Sequence, residues 1–356
     1  MKTKQFLSSA IALFTMAMLA SCGGTNNKQA SNPVDLSGAG ATFPEPFYTM
    51  VFDSFNIATG NTVSYGGIGS GGGVRNLKDK TVDFAASDAF LSDEEMGEME
   101  DVIHIPTCMG AVVLAFNLPE TQQLNLSGEV TADIFAGKIK KWNDPALAAL
   151  NPNVSLPDKD IIPVFRSDGS GTTFVFTHYL SQVSTEWQTK YGAAKSVDFP
   201  AGQAAKGNPG VAGIVKETPY SIGYVGSEYA FAQKLSMATM KNAAGNLVAP
   251  TISSISAAAQ GDMPADTRTM ITNSSNPEAY PISCLTWIII YKEQAYNNRT
   301  KEQAKATLQL LDFILSPEVQ KTAASINYAP LPETAVSNSL KNLKAATYNG
   351  KPLLQD

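Results

Sequence analysis

Apolar residues in this chain fall in short blocks, and the spacing inside the blocks alternates between two periods. Leu36-Ser-Gly-Ala-Gly-Ala-Thr-Phe43 predicts a short strand running into a glycine-rich turn. From Pro44 to Phe55, Phe47, Met50, Val51 and Phe55 stand near helical spacing, and prolines occupy only the start, where a helix tolerates them. Asn61–Tyr65 predicts a strand, Gly66–Gly73 a turn, and the residues to about Lys80 a helix. Val82–Asp88 reads as a buried strand ending in a polar turn, and Ser92-Asp-Glu-Glu95 as a capping box opening the next helix. The order β-α-β-α-β indicates an open α/β sheet.

A second region begins near Asn117. It holds a short helix (Thr131–Ala136), a basic turn (Lys138–Trp142) and a strand (Ile161–Phe165). Arg166-Ser-Asp-Gly-Ser-Gly-Thr172 then turns into a helix over Thr173–Leu180. After Ala193 the chain is rich in Gly and Ala, with Ser221–Gly226 as a further strand. Pro281–Tyr291 is a long apolar strand. Lys301–Ile314 is an amphipathic helix with Leu308, Leu311 and Ile314 on one side, and Ser316-Pro317-Glu318 starts another. No internal repeat interrupts this order.

The N-terminus changes the picture of where the chain works. Met1-Lys-Thr-Lys4 is basic, and Phe6 to Ala20 is apolar and uncharged, too short for a membrane span, so residues 1–21 predict an export signal. Leu19-Ala20-Ser21-Cys22 resembles a bacterial lipobox, in which Cys22 becomes the lipidated first residue; the alternative is an ordinary signal with a stray cysteine. Residues 22–35 then form a small, polar tether. About 320 residues remain, which suits two domains. The expected location is the bacterial cell envelope, lipid-anchored and facing the periplasm or other extracytoplasmic space.

Composition is that of a globular protein, 44% apolar and 16% charged. The net charge of −6 becomes −8 once Lys2 and Lys4 leave with the signal. Without a basic tract, nucleic acid is excluded as a partner. Cys108 and Cys284 each sit in an apolar run, and two readings stand: a disulfide between neighbouring strands, or two buried free thiols.

Three places share one design, a strand, a turn of Gly, Ser and Thr, and a helix: Gly38–Phe43, Gly66–Gly73 and Ser167–Thr173. Each offers free backbone N–H groups and the positive end of a helix dipole. Gly67, Gly69 and Gly72 fit G-x-G-x-x-G, and Asp88 follows 21 residues after Gly67, as a dinucleotide fold asks. Export argues against that reading, because dinucleotides are scarce outside the cytoplasm. Three such turns suit a small anion held by several helix N-termini. Arg166 adds a fork of donors for a tetrahedral oxyanion, or an ion pair with Asp168, or both. Asp88 facing an anion is repulsive unless one of them carries a proton. Phosphate does so near neutral pH and sulfate does not; the plainer alternative makes Asp88 a turn or N-cap residue.

GAGATFPEPFY, YGGIGSGGGV, VDFAASDA, GKIKKWNDP and RSDGSGTTFVFTHYL, in this order, resemble the PstS family of periplasmic phosphate-binding proteins of bacterial ABC importers. The resemblance runs from about Leu36 to Pro332. It implies a two-lobed α/β binding protein, type II-like, each lobe a central sheet flanked by helices, with the ligand in the cleft. Lobe I would comprise 36–115 and 284–356, lobe II 116–283. The resemblance implies phosphate contacts from Ala41, Thr42, Phe43, Ser70, Asp88, Arg166, Ser170, Gly171 and Thr172, with Asp168 holding Arg166. It also implies an ABC permease and ATPase as partner, a monomer, and no cofactor, metal or catalytic residue. Two departures stand out. Phe165 occupies a position where the family often carries a second Arg. Cys108 and Cys284 are not family features, and both strands should lie near the crossing between lobes, with the thiols close.

Rival functions are weaker. The two histidines, His104 and His178, sit among apolar residues and read as packing or surface groups. Neither Ser70 nor Ser170 sits in G-x-S-x-G, and no H-x-x-x-H or C-x-x-C metal pattern exists. A receptor for another oxyanion would use the same turns but gain nothing from Asp88. A sensor without a transport role is the remaining alternative.

Overall fold

The glycine-rich turns take their positions from a sheet. In the computed structural model, which describes residues 33–354, nine strands form that sheet. They are β1 (Asp35–Gly40), β2 (Thr62–Gly67), β3 (Phe84–Ser87), β4 (Val102–Phe116), β5 (Ile162–Arg166), β6 (Gln203–Ala205), β7 (Ser221–Gly226), β8 (Ser236–Met237) and β9 (Ser283–Tyr291). Their order is β2-β1-β3-β9-β4-β7-β5-β6, with β8 beside the end of β4. The export signal and lipidated Cys22 lie outside the described residues.

β1 runs parallel to β2 and β3, and β5 runs parallel to β6 and β7. These are the βαβ units that the alternation of strand and helix signals foretold. Between the two parallel sets lie β9 and β4, antiparallel to their neighbours. β4 is 15 residues long and serves both halves of the sheet. Its Val102–Ala111 stretch pairs with β9, and Val112–Phe116 pairs with β7. Both strands are buried along almost their whole length, which explains why their sequences are mostly apolar rather than alternating.

Element ends differ from expectation where a side chain intervenes. β3 begins at Phe84 rather than Val82, since Asp83 accepts the Ser37 N–H and pairs with Arg299. The helix after the turn Ser167–Ser170 begins at Gly171, two residues early, because Ser170 caps it by accepting the Thr173 N–H at 3.0 Å. The helix Gly207–Glu217 was hidden in the Gly- and Ala-rich stretch; its Pro209 sits in the first turn, where no N–H is needed.

Cys108 and Cys284 are buried free thiols, which decides against the disulfide. The strands are neighbours, as expected, but Cys108 stands opposite Thr286 and Cys284 opposite Gly110. The two cysteines are therefore diagonal partners, a spacing of about 7–8 Å between backbones that exceeds the usual reach of a disulfide.

Candidate functional site

The first turn, after β1, is shaped by three tyrosines. Tyr65 donates its hydroxyl to the Ala41 carbonyl at 2.7 Å, Tyr229 to that of Thr42 at 2.5 Å, and Tyr328 to that of Phe43 at 2.5 Å. In a trans peptide the N–H points opposite to the carbonyl, so gripping Ala41 O and Thr42 O aims the N–H groups of Thr42 and Phe43 away from the tyrosines. Neither N–H has an acceptor among the described residues. Ala41 differs from the sequence expectation: its N–H donates to Ala86 O at 2.9 Å and serves the sheet, not a ligand.

The second turn packs on the third. Gly69 caps the helix Ser70–Lys78 with φ +85°, a conformation that favours glycine, and a side chain there would also meet the Gly169 carbonyl. Gly71 N–H donates to that carbonyl at 2.9 Å. Ser70 is fully buried, and its Oγ accepts from the N–H groups of Gly171 at 3.1 Å and Asp88 at 3.4 Å. With both lone pairs engaged, its proton is left to donate.

In the third turn Arg166 is buried, and its guanidinium forms a fork with Asp168, Nε to Oδ1 at 2.7 Å and Nη2 to Oδ2. This is the ion pair that the sequence offered. Asp168 Oδ1 also accepts the Gly207 N–H at 3.0 Å. Burial pushes the Asp168 carboxyl up, but the hydrogen bond and charge of Arg166, together with backbone hydrogen bonds including that from Gly207, outweigh it and hold it below the usual range. Nη1 of Arg166 has no partner among the described residues. Ser170 Oγ is taken as N-cap acceptor, and the Ser170 N–H goes to Lys195 O, so only its hydroxyl proton remains to give. The Thr172 N–H has no acceptor among the described residues, while the Thr172 hydroxyl donates to Asp88 Oδ2 at 3.3 Å.

Asp88 is 1% exposed. Thr286, on β9, donates to its other oxygen at 2.8 Å. Burial raises its pKa from 3.8 to about 6, against the lowering effects of Thr286, Arg166 and Thr172. Asp88 is therefore not a solvated turn residue but a buried acid among anion donors. Nearby, Glu228 is 3% exposed, neither carboxyl oxygen has a hydrogen-bond partner among the described residues, and burial pushes its pKa well above the usual range.

Thr42, Ser70, Asp88, Arg166, Ser170, Gly171 and Thr172 are thus gathered around the facing turns, with Phe43 beside Thr42. Sequence reading missed Asn208, Tyr229 and Thr286. Asn208 is fully buried and donates from Nδ2 to both Thr42 Oγ1 at 3.0 Å and Thr172 Oγ1 at 3.1 Å. Its signal was a fourth strand–glycine–helix start, Ala205-Lys-Gly-Asn208, which the short β6 concealed.

The histidines take structural places. His104 is buried and accepts the Leu91 N–H at 3.1 Å, and burial lowers its pKa to about 3. His178 bonds Thr272 at 2.8 Å. Among the described residues, no three His, Cys, Asp or Glu are grouped to hold a metal.

Residues 27–318 match the family model described as a PBP superfamily domain. The phosphate-binding protein PstS of Pasteurella multocida is 42% identical over 327 residues, 90% of this chain and 93% of that protein. The chain belongs to the PstS family. Solved members of the fold agree in architecture. A phosphate-binding protein from Stenotrophomonas maltophilia has a TM-score of 0.67 at 19% identity, covering 88% of this chain and 94% of its own. A phosphate ABC transporter substrate-binding protein from Clostridium perfringens, with bound phosphate, has a TM-score of 0.62 at 19% identity, covering 84% of this chain and 100% of its own. The fold is the two-lobed α/β fold of periplasmic binding proteins. The Phe165 ring stacks on Phe199 with centroids 4.7 Å apart.

Proposed function

We propose that this PstS-family protein captures inorganic phosphate between its two lobes and delivers it to an ABC permease and ATPase complex. The observation that carries the reading is Asp88, a buried carboxyl with a raised pKa beside the unused donors of Thr42, Phe43, Ser70, Ser170 and Thr172. The N–H groups of Thr42, Phe43 and Thr172, the hydroxyls of Ser70 and Ser170, and the free edge of Arg166 would bind the anion's oxygens. The Gly171 N–H would turn from Ser70 to the ligand. Asp88 would accept the one proton that phosphate brings, and would repel sulfate, which brings none. A relative 42% identical named for phosphate binding supports this choice of anion.

The lobes would be 36–115 with 284–356, and 116–283, a division supported by the change of partners along β4 at Ala111 and Val112. They would rotate about β4 and β9, closing over phosphate and excluding water, which strengthens each charge-assisted bond. The protein acts as an extracytoplasmic monomer, lipid-anchored through Cys22, without turnover of its ligand.

The test is calorimetric titration of the protein beginning at Gly23, stripped of ligand, with phosphate and then sulfate at neutral pH. Tight 1:1 phosphate binding with sulfate silent is expected. Equal binding of sulfate would defeat the role of Asp88, and silence from both would defeat the receptor reading.

A further inference from the structure

Thr42 leaves β1, in one half of the sheet, yet two residues from the other half hold it. Asn208, just after β6, donates both its backbone N–H and its Nδ2 to Thr42 Oγ1, each at 3.0 Å. Tyr229, just after β7, donates its hydroxyl to the Thr42 carbonyl. Asn208 is itself fixed, since its Oδ1 accepts the Gly226 N–H at 3.0 Å, leaving its amide oriented with Nδ2 toward the threonines.

These bonds set the polarity of the Thr42 side chain. A hydroxyl has two lone pairs and one proton. Two N–H groups occupy the lone pairs, so Thr42 Oγ1 is left only with a proton to give, and no acceptor for it stands among the described residues. Thr172 Oγ1 is different: it accepts from Asn208 and already donates to Asp88. Tyr229 acts on the backbone instead. By holding Thr42 O it turns the Phe43 N–H to the opposite side of the peptide plane.

We propose that Asn208 and Tyr229 form a clasp on Thr42 that assembles when the lobes close, making the Thr42 hydroxyl a donor and aligning the Phe43 N–H toward the bound anion. Both are positioning residues: they act through Thr42, not on the ligand. The clasp rests on the phosphate reading above, and it adds a coupling between closure and completion of the donor set. A ligand released from the closed site must first wait for these bonds to part, so the clasp governs dissociation more than association.

Phosphate affinity and dissociation rate, measured for single and double variants, test the clasp. Tyr229→Phe removes one hydroxyl and keeps the ring. Asn208→Ala removes both Nδ2 bonds. Each is expected to raise the dissociation rate about tenfold and to change the association rate less than about threefold. In a Thr42→Val background, which lacks the hydroxyl but keeps the carbonyl, Asn208→Ala should cost less than about threefold, while Tyr229→Phe should keep its full effect. Asn208→Asp, of nearly equal size and able to accept from Gly226, covers the case in which Asn208→Ala fails to fold. It should bind more weakly than the unaltered protein by at least tenfold, because its second oxygen draws the Thr42 proton away from the ligand. An Asn208→Ala loss that stays whole in the Thr42→Val background, or Asn208→Asp binding like the unaltered protein, would overturn the clasp alone. No phosphate binding by the unaltered protein would overturn the phosphate reading and the clasp together.

Discussion

Replacing Asp88 with Asn isolates the energetic cost of keeping an acid in the site. The Asp88 carboxyl is buried, and its pKa rises from 3.8 to about 6 mainly through loss of water. The folded chain therefore binds more protons than the unfolded chain between about pH 4 and pH 6, and stability falls as pH rises through that window. The rise from 3.8 to about 6 corresponds to ~3 kcal/mol lost by pH 7. The neutral amide of the Asp88→Asn variant carries no such penalty. The stability gap between Asp88→Asn and the unaltered protein should widen in the variant's favour by ~2 kcal/mol from pH 4 to pH 7. Urea unfolding followed by tryptophan fluorescence, in phosphate-free buffers across this range, measures the gap, and other titrating groups cancel in the difference. A gap that stays constant with pH would refute the buried-acid reasoning. The same variant should lose discrimination between phosphate and sulfate, so the stability gained is the counterpart of a functional strain.

Further expectations follow the same logic. Arg166→Ala should weaken phosphate binding by ~2–5 kcal/mol in calorimetry, because Asp168 would lose its partner and the buried anion its cation. Glu228→Gln should also be more stable than the unaltered protein at pH 7, with the difference shrinking in acid, since the folded-state pKa of Glu228 is raised by burial; an equal difference at pH 4 would contradict this. Cys108 and Cys284 should resist a thiol reagent in the native protein and both react in urea, without prior reductant, because they are free and fully buried; two unreactive sulfurs in urea would indicate a bond. Ser170→Ala should cost ~1 kcal/mol of stability through the lost N-cap, visible in the same unfolding assay even without ligand.

The elements and their class were legible in the order of residues. Hydrophobic patterning placed β1 with its helix, the amphipathic helix ending at Leu315, and the mostly apolar runs of β4 and β9. Glycine and hydroxyl residues after strands marked three helix N-termini, because a turn that leaves N–H groups free concentrates such residues. Family motifs then named the anion. Direction and neighbourhood, by contrast, were settled by packing. Whether Asp88 is solvated or buried depends on β9, whose Thr286 is nearly 200 residues away. Which N–H groups are free depends on distant acceptors: Ala86 takes that of Ala41, while tyrosines from three parts of the chain grip the carbonyls around Thr42 and Phe43. The register of β4 against β9 kept two neighbouring cysteines apart. Asn208 stood in a strand–glycine–helix start that could be read locally, but its role could not, since its amide matters only where the first and third turns meet it. Local sequence sets what a segment can form; long-range packing sets which lone pairs and protons remain to be used.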